Sequence, residues 1–180
     1  MVYMFLAEGF EEIEALCPLD LLRRAGVEIT TVGVGSKTVM GAHGIGVVAD
    51  MTEDELYDFS ADMIILPGGM PGTLNLEKSP LVQSFIDYCV ENKKMIAAIC
   101  AAPSILGHKG LLNGKKAVCF PGFEEQLAGA EILNSAVVTD GNIITGCGAG
   151  AALEFGFEIV KYIQNEAAAN HFRKAMLCDR

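Results

Sequence analysis

One cysteine stands where its sulfur could do chemistry. Cys100 follows the apolar run MIAAI (95–99), which predicts a strand buried on both faces, and precedes AAPSILGHKG (101–110), which predicts a short helix. At such a junction a sulfur faces unpaired backbone N–H groups and the positive end of a helix dipole, which together lower a thiol pKa. The alternative is a cysteine packed in the core, because free cysteine is among the most buried residue types.

Acidic residues begin the first predicted helix, at Glu11, Glu12 and Glu14. Such residues are common in a first helical turn, where the helix dipole favours them, so they need have no chemical role. Glu11 and Glu14 are three residues apart and therefore share one face of the helix. If that face is directed at Cys100, one carboxyl becomes the hydrogen-bond partner of the sulfur, and burial would keep that carboxyl protonated.

Glycines follow the buried strand predicted over 62–69, at Gly68 and Gly69. They indicate either a tight turn or a place where backbone N–H groups point at a substrate, as an oxyanion hole requires. The glycine-rich segment TGCGAGAA (145–152) precedes the last helix but matches no dinucleotide or phosphate fingerprint, so nucleotide binding is not predicted. Cys147 in this segment is a second candidate thiol.

The chain has three histidines, at 43, 108 and 171. His108 lies about two helical turns beyond Cys100 and is therefore expected to point away from the sulfur. His171 belongs to the last predicted helix and is expected at the surface. The sequence thus predicts no Cys–His dyad, which argues against a protease or an amidotransferase.

Length and composition predict one domain over residues 1–180. The net charge of −10 argues against nucleic-acid binding, which needs a basic surface. The apolar runs are too short to span a bilayer and no leader pattern is visible, so a cytoplasmic protein without membrane contact is expected. The six cysteines form no CxxC motif, and no zinc site or disulfide framework is predicted.

Strands and helices alternate along the chain, which predicts an α/β fold with a mainly parallel sheet and helices on both faces. The site should lie at the carboxyl ends of the strands, where loops 7–12, 67–72 and 100–103 converge. Predicted strands cover residues 2–7, 28–34, 62–69, 95–99 and 115–120; a hairpin or edge excursion covers 37–50, and a hairpin with an Asp140-Gly141 turn covers 136–146. Predicted helices cover residues 11–26, 80–94, 101–110 and 151–172, with a capping box opening 52–59.

Four segments resemble the DJ-1/ThiJ/PfpI superfamily, in its DJ-1 and bacterial ThiJ-like branch. They are AEGFEEIEALCPLDLLRRAG, LPGGMPG, AAICAAPSIL and ITGCGAGAALEFGFEIV, in this order, and the resemblance spans essentially the whole chain. It implies a flavodoxin-like three-layer sandwich. It also implies a homodimer built partly on the first helix, with Arg24 at the interface.

The resemblance also implies roles for individual residues. Cys100 corresponds to the reactive, oxidisable cysteine, and Glu14 to the carboxyl that touches it. Gly69 and Ala101 match the positions whose backbone amides form an anion or oxyanion pocket, with Gly68 beside them. These five residues are the predicted site.

Around this site the chain departs from the family pattern. Members with a site histidine carry it before the proline that is here Pro121, where this chain has Phe120. A site arginine is replaced by Cys147, and a neighbouring arginine by His43, which is expected to supply weak positive charge at the rim. Glu11 corresponds to a second glutamate near the site.

Two functions from different classes follow from the resemblance. One is a slow glyoxalase or deglycase without cofactor or metal, in which Cys100 attacks a small aldehyde or glycated substrate and Glu14 moves protons. The other is a non-enzymatic redox sensor or chaperone, in which peroxide oxidises Cys100 to a sulfinate. The missing histidine favours the sensor or a slow enzyme. A protease-like hydrolase and a role in thiazole phosphate synthesis for thiamine are weaker alternatives.

Overall fold

A seven-stranded sheet forms the centre of the part of the chain described by the structure, a computed structural model covering residues 1–57 and 60–178. The strands are β1 (Val2–Leu6), β2 (Ile29–Gly33), β3 (Thr38–Met40), β4 (Gly46–Val48), β5 (Met51–Thr52), β6 (Met63–Leu66), β7 (Met95–Ile99), β8 (Lys116–Ala117), β9 (Glu131–Ile132), β10 (Val137–Asp140) and β11 (Ile143–Gly146). The helices are α1 (Glu12–Arg24), α2 (Gly72–Lys78), α3 (Pro80–Glu91), α4 (Pro103–His108), α5 (Ala152–Ile163) and α6 (Glu166–Ala175).

The sheet has the strand order β10-β11-β7-β6-β1-β2-β5. All neighbouring strands are parallel except β10 and β11, which form the predicted antiparallel hairpin. Because β6 lies between β1 and β7, the loops after these three strands meet at one edge of the sheet. The predicted α/β, flavodoxin-like fold with a mainly parallel sheet is confirmed.

Each central strand is buried on both faces, as its unbroken apolar sequence predicts. In β1, Tyr3 and Phe5 pack into one hydrophobic cluster, and Met4 and Leu6 pack into another on the opposite face. Helices α3 and α4 contribute to the first cluster, whereas α1 and α5 contribute to the second. The result is the expected three-layer arrangement. Within the described residues, no helix has the length and apolar character needed to cross a membrane.

The closing segment 151–172 forms two helices, so the prediction of one long helix is wrong. The break lies at Asn165, whose side chain accepts a hydrogen bond from the N–H of Ala168 at 2.9 Å. Asparagine is a strong N-cap residue, and this contact begins a new helix at α6. The N-cap preference of Asn165 is visible in the sequence, but the helical pattern on both sides of it is otherwise continuous.

Two other predictions on single elements need correction. The segment opening at Thr52 makes the predicted capping box with Glu55, but only a single 3₁₀ turn, Glu53–Glu55, follows; residues 58 and 59 lie outside the described residues. The strand predicted over 115–120 shrinks to β8, which pairs with β9 and not with the central sheet. The place beside β7 is occupied by β11, so β8 has no edge to join there. Helix α2 was not predicted.

Candidate active site

Cys100 is the residue that follows β7, and its backbone is left-handed, with φ of 66°. Such a conformation is uncommon for a residue other than glycine and clusters at functional sites. Two hydrogen bonds hold it: its N–H donates to the carbonyl of Gly146, and its carbonyl accepts from the N–H of Phe120, each at 2.8 Å. Cys100 therefore lies at the carboxyl edge of the sheet, where the sequence predicts that the site loops converge.

Glu14 reaches this turn from the first part of α1 and is 1% exposed. Its carboxyl hydrogen-bonds to the side chain of Cys100, and its Oε2 accepts the N–H of Gly68 at 2.9 Å. A Cβ at position 68 would lie 2.6 Å from both the Cβ of Cys100 and the Oε2 of Glu14. Glycine at this position is therefore what allows the carboxyl and the sulfur to meet.

The three backbone amides predicted for the site contact two different side chains, those of Glu14 and Cys100. Gly68 donates to Glu14, whereas the backbone N–H groups of Gly69 and Ala101 hydrogen-bond to the Cys100 sulfur. Gly69 has a φ of 89°, a left-handed conformation that suits glycine. All five residues predicted for the site are thus brought together, with two amides placed to stabilise negative charge on sulfur.

The Cys100 thiol is nevertheless not acidic in this arrangement. Burial raises its pKa to about 12, the negative charge of Glu14 acts in the same direction, and the N–H groups of Gly69 and Ala101 oppose both. The lowered pKa predicted from the strand–helix junction is therefore wrong. Its basis was the end of α4, a helix of six residues that begins at Pro103, so the dipole near the sulfur is weak.

Glu14 holds its proton to unusually high pH, as predicted for a buried carboxyl. Burial raises its pKa to about 7 and the charge of Glu11 contributes, while hydrogen bonds from Cys100 and Gly68 act against them. Below this pH the Glu14–Cys100 pair is neutral. Above it the pair carries one negative charge, and the two groups titrate as a unit.

The raised Glu14 pKa predicts a pH-dependent stability. The folded pKa of about 7 lies above the ordinary value of 4.5, so folding favours the protonated carboxyl. This contribution to stability is fully present below about pH 4.5, falls as the pH rises toward 7, and is lost above it; the loss is on the order of 3 kcal/mol. We expect Glu14→Gln to raise the free energy of unfolding at pH 8 and to leave it nearly unchanged at pH 4.5. Urea unfolding at both pH values measures this, and equal effects would contradict it.

The contacts of the histidines are with residues other than Cys100, and His171 is exposed, as predicted. His108 contacts Glu77, and His171 packs against the ring of Phe172. The imidazole of His43 instead lies against the start of α1, with its Nδ1 2.9 Å from Oε2 of Glu12. None of these contacts supplies a base to Cys100.

Glu12 and His43 form an ion pair that the sequence did not indicate. Burial opposes the charge of Glu12, but hydrogen bonds from the imidazole of His43 and from the N–H groups of His43 and Ile45 lower its pKa to about 2. The hydrogen bond with Glu12 raises the pKa of His43, and the charges of Glu11 and Glu12 add to this effect. The positive charge predicted for His43 therefore faces carboxylates.

A groove of about 800 Å³ adjoins the site and was not predicted. Its wall includes Phe120, Cys147 and Gly148. A Cβ at position 148 would lie 3.2 Å from the Phe120 ring and 4.0 Å from Oε1 of Glu14. Phe120, at the family's histidine position, and Glu14 thus flank Gly148, which connects the groove with the site. Cys147 is half-buried in the groove wall, and its N–H donates to the carbonyl of Ala136 at 2.9 Å.

The fold and this geometry define a class: α/β sandwiches with a cysteine on a sharp turn after a central strand, paired with a carboxyl from the first helix. Comparison with known proteins agrees. The family model for the DJ-1/PfpI family matches residues 1–162, and the chain belongs to this family.

The relatives and solved structures cover nearly the whole chain. Protein DJ-1 homolog B of Arabidopsis thaliana is 37% identical over 91% of this chain and 38% of that protein. The chain also spans 45% of homolog A, and therefore less than half the length of either plant relative. The glutathione-independent glyoxalase DJR-1.2 of Caenorhabditis elegans is 29% identical over 94% of this chain and 91% of that protein. The oxidized DJ-1 structure of Toxoplasma gondii matches with a TM-score of 0.93 and 32% identity, covering 98% of this chain and 97% of that one.

Proposed function

We propose that this protein is a glutathione-independent glyoxalase that responds to carbonyl stress, with Cys100 as nucleophile and Glu14 as the group that moves protons. The observation that carries the proposal is the approach of the Glu14 carboxyl to Cys100 beside Gly68, where a Cβ would lie 2.6 Å from both the Cys100 Cβ and the Glu14 Oε2. The name of the nematode relative, a glutathione-independent glyoxalase, supports the same chemistry. The same nucleophile could act on early glycation adducts, which also present an electrophilic carbon.

The first step is addition of sulfur to the aldehyde carbon of methylglyoxal. Glu14, ionised above pH about 7, takes the thiol proton as the S–C bond forms and the carbonyl electron pair moves to oxygen. Glu14 then returns that proton to the oxygen, which gives a hemithioacetal. The N–H groups of Gly69 and Ala101 stabilise negative charge as it develops on sulfur before attack.

The second step moves a proton between two carbons. Glu14 removes the proton from the former aldehyde carbon, the electron pair forms the C=C bond of an enediol, and Glu14 passes that proton to the neighbouring ketone oxygen. Glu14 then takes the proton from the hydroxyl of the first carbon and delivers it to the second carbon, which gives a lactoyl thioester on Cys100. Water then attacks the thioester, the C–S bond breaks, and lactate leaves as sulfur regains its proton. The sum is methylglyoxal plus water to lactate and a proton, with no change in the protein and no external oxidant or reductant.

The direct test is lactate formation from methylglyoxal by the wild-type protein in buffer without glutathione. We expect lactate to accumulate in proportion to protein concentration. We expect the rate of lactate formation to rise with pH as Glu14 ionises. The pH profiles of His43→Ala and His108→Ala should have the same shape as that of the wild type. If no lactate forms while Cys100 is shown to be reduced, the proposal is rejected.

A second candidate function, peroxide sensing, is favoured by the lack of an imidazole contact at Cys100 among the described residues. Peroxide would oxidise the thiol to a sulfenic acid and a second peroxide would give the sulfinate, each releasing one water. The N–H groups of Gly69 and Ala101 are placed to bind the sulfinate oxygens. Peptide mass spectrometry after peroxide treatment distinguishes this function, because it requires a sulfinate at Cys100 before other thiols are oxidised.

All six cysteines lie among the described residues and are unpaired, which suits the reducing cytoplasm that we propose as the location of this protein.

We also propose a homodimer built partly on α1. Ile13 of α1 is 55% exposed and Val48 of β4 is 68% exposed, which leaves apolar surface for a partner. Arg24 lies exposed in the last turn of α1, paired with Asp20 at 2.6 Å, where it can exchange that partner for one across an interface. Light scattering at micromolar concentration should give the dimer mass, and Ile13→Glu should shift it to the monomer. A monomeric wild type would contradict the proposal.

A further inference from the structure

The groove beside the site is much larger than the proposed substrate requires. Its volume is about 800 Å³, whereas the methyl group of methylglyoxal is about the size of a water molecule, which occupies roughly 30 Å³ in the liquid. We propose that this groove is a subsite for an uncharged aromatic substituent on the 2-oxoaldehyde that Cys100 attacks. The inference rests on the proposed function and names its substrate class, the arylglyoxals.

Phe120 makes the groove continuous with the site. Its N–H donates to the carbonyl of Cys100 at 2.8 Å, so its backbone lies directly beside that of the nucleophile. A Cβ at position 148 would lie 3.2 Å from the Phe120 ring and 4.0 Å from Oε1 of Glu14. Because Gly148 has no side chain, the space between the carboxyl that moves protons and the ring stays open. A substituent on the reacting carbon therefore has a path from the site to the ring.

The wall of the groove is mainly apolar. Phe120 is 47% exposed and Ile132 is 39% exposed, and large apolar side chains on a concave surface are typical of ligand pockets. An aromatic substituent would stack on the Phe120 ring or meet it edge to face, a contact that a methyl group cannot make. Other apolar residues of the wall are Val118, Pro121, Leu133 and Ala149.

The charges of the groove select an uncharged substituent. Among its described lining residues the one charged side chain is Glu124, whose Oε2 accepts the N–H of Gly122 at 2.7 Å. A carboxylate or phosphate on the substrate would meet no lysine, arginine or histidine among these residues and would face the charge of Glu124. Placing an anion there without a partner is costly. The groove therefore disfavours sugar phosphates and 2-oxoaldehydes that carry an acid group.

Three segments of the chain form the groove, within residues 118–124, 132–136 and 147–150. The pairing of β8 with β9 and a hydrogen bond from the N–H of Val118 to the hydroxyl of Thr145, at 3.0 Å, bring them together. None of the described lining residues belongs to α1 or β4, the elements on which the dimer proposal rests. The groove and the proposed dimer interface are therefore different surfaces.

Two α-bromo ketones measure the subsite without requiring turnover. Phenacyl bromide and bromoacetone differ in having a phenyl or a methyl group on the carbonyl. In both, sulfur attacks the carbon that bears bromine, the S–C bond forms, bromide leaves, and the thiol proton passes to the buffer. Peptide mass spectrometry gives the rate of modification at Cys100, and division by the rate with N-acetylcysteine removes the difference in intrinsic reactivity. We expect this normalised rate to be at least about tenfold higher for phenacyl bromide.

Three variants locate the preference. Phe120→Ala keeps the backbone contact with Cys100 but removes the ring, and should bring the normalised rates for the two reagents close together. Ile132→Gln changes the wall at a distance from that contact and should lower the preference several-fold. The matched control is Tyr162→Ala, because Tyr162 is a half-exposed aromatic residue, 51% exposed, that does not line the groove. It should keep the preference of the wild type.

Turnover provides the second measurement. Phenylglyoxal plus water gives mandelate and a proton by the same steps, and Phe120→Ala should lower kcat/KM for phenylglyoxal at least about tenfold more than kcat/KM for methylglyoxal. Equal losses for the two substrates would overturn the inference. So would equal normalised alkylation rates in the wild type, a preference unchanged in both Phe120→Ala and Ile132→Gln, or a phenacyl group on Cys147 alone. Preferential phenacylation of Cys100 without formation of either acid would reject the glyoxalase proposal and leave the subsite in place.

Discussion

Replacing Cys100 with serine is expected to reduce lactate formation from methylglyoxal to the uncatalysed rate, a loss of about 10³-fold or more. A hydroxyl in the same position keeps the size and the amide contacts but is a far weaker nucleophile. Its addition to the aldehyde would also leave an ester and not the more readily hydrolysed thioester. The measurement is lactate produced per mole of protein over time, at equal methylglyoxal concentration and without glutathione.

Two other cysteines provide controls for this variant. Cys178 is half-buried near the end of α6 and does not line the groove, so Cys178→Ser should stay within a few-fold of wild type. Cys147 lines the groove and is the competing candidate thiol. If Cys147→Ser loses activity and Cys100→Ser retains it, the nucleophile has been assigned to the wrong residue.

Replacing Glu14 with glutamine is expected to lower the rate by about 10²–10⁴-fold, the usual contribution of a positioned acid/base group. Glutamine keeps a hydrogen-bonding side chain of the same length but cannot carry a proton between carbons. The same variant should lower the Cys100 pKa below that of wild type. The reason is that the charge of Glu14, which raises the thiol pKa, is removed while the N–H groups of Gly69 and Ala101 remain. Thiolate absorbance in the ultraviolet during a pH titration measures this shift.

Glu11→Gln is the matched control for Glu14→Gln. It leaves the catalytic carboxyl in place and removes a charge that raises the Glu14 pKa. We therefore expect activity to persist and the rising limb of its pH profile to move to lower pH. An active Glu14→Gln protein, or one whose thiol becomes harder to ionise, would contradict the role given to Glu14.

The strands and the positions of the site loops could be predicted from the sequence, because β1, β6 and β7 are unbroken apolar runs buried on both faces. The pairing of Cys100 with Glu14 could be expected from their elements and from the family resemblance. Which amide contacts the sulfur and which contacts the carboxyl could not be predicted, since local sequence does not indicate the left-handed backbone of Cys100 and Gly69. In the structure the Gly69 and Ala101 N–H groups contact the sulfur, while the Gly68 N–H contacts the carboxyl.

The direction of the Cys100 pKa shift was predicted wrongly because local sequence shows a helix end but not burial. Burial depends on the complete fold around the sulfur and here outweighs the two amides. The contact between Glu12 and His43 was missed for a related reason: it joins residues 31 positions apart through the β3–β4 turn. The break at Asn165, by contrast, could have been predicted from its preference for N-cap positions.

The central claim is that Cys100 becomes covalently acylated during turnover. Acid quenching of the wild-type protein while it converts methylglyoxal, followed by peptide mass spectrometry, tests this directly. We predict a lactoyl group on the peptide that contains Cys100, which appears before lactate accumulates and is absent from Cys100→Ser. Lactate formation with Cys100 unmodified at every time point, or with the lactoyl group on another cysteine, would contradict it.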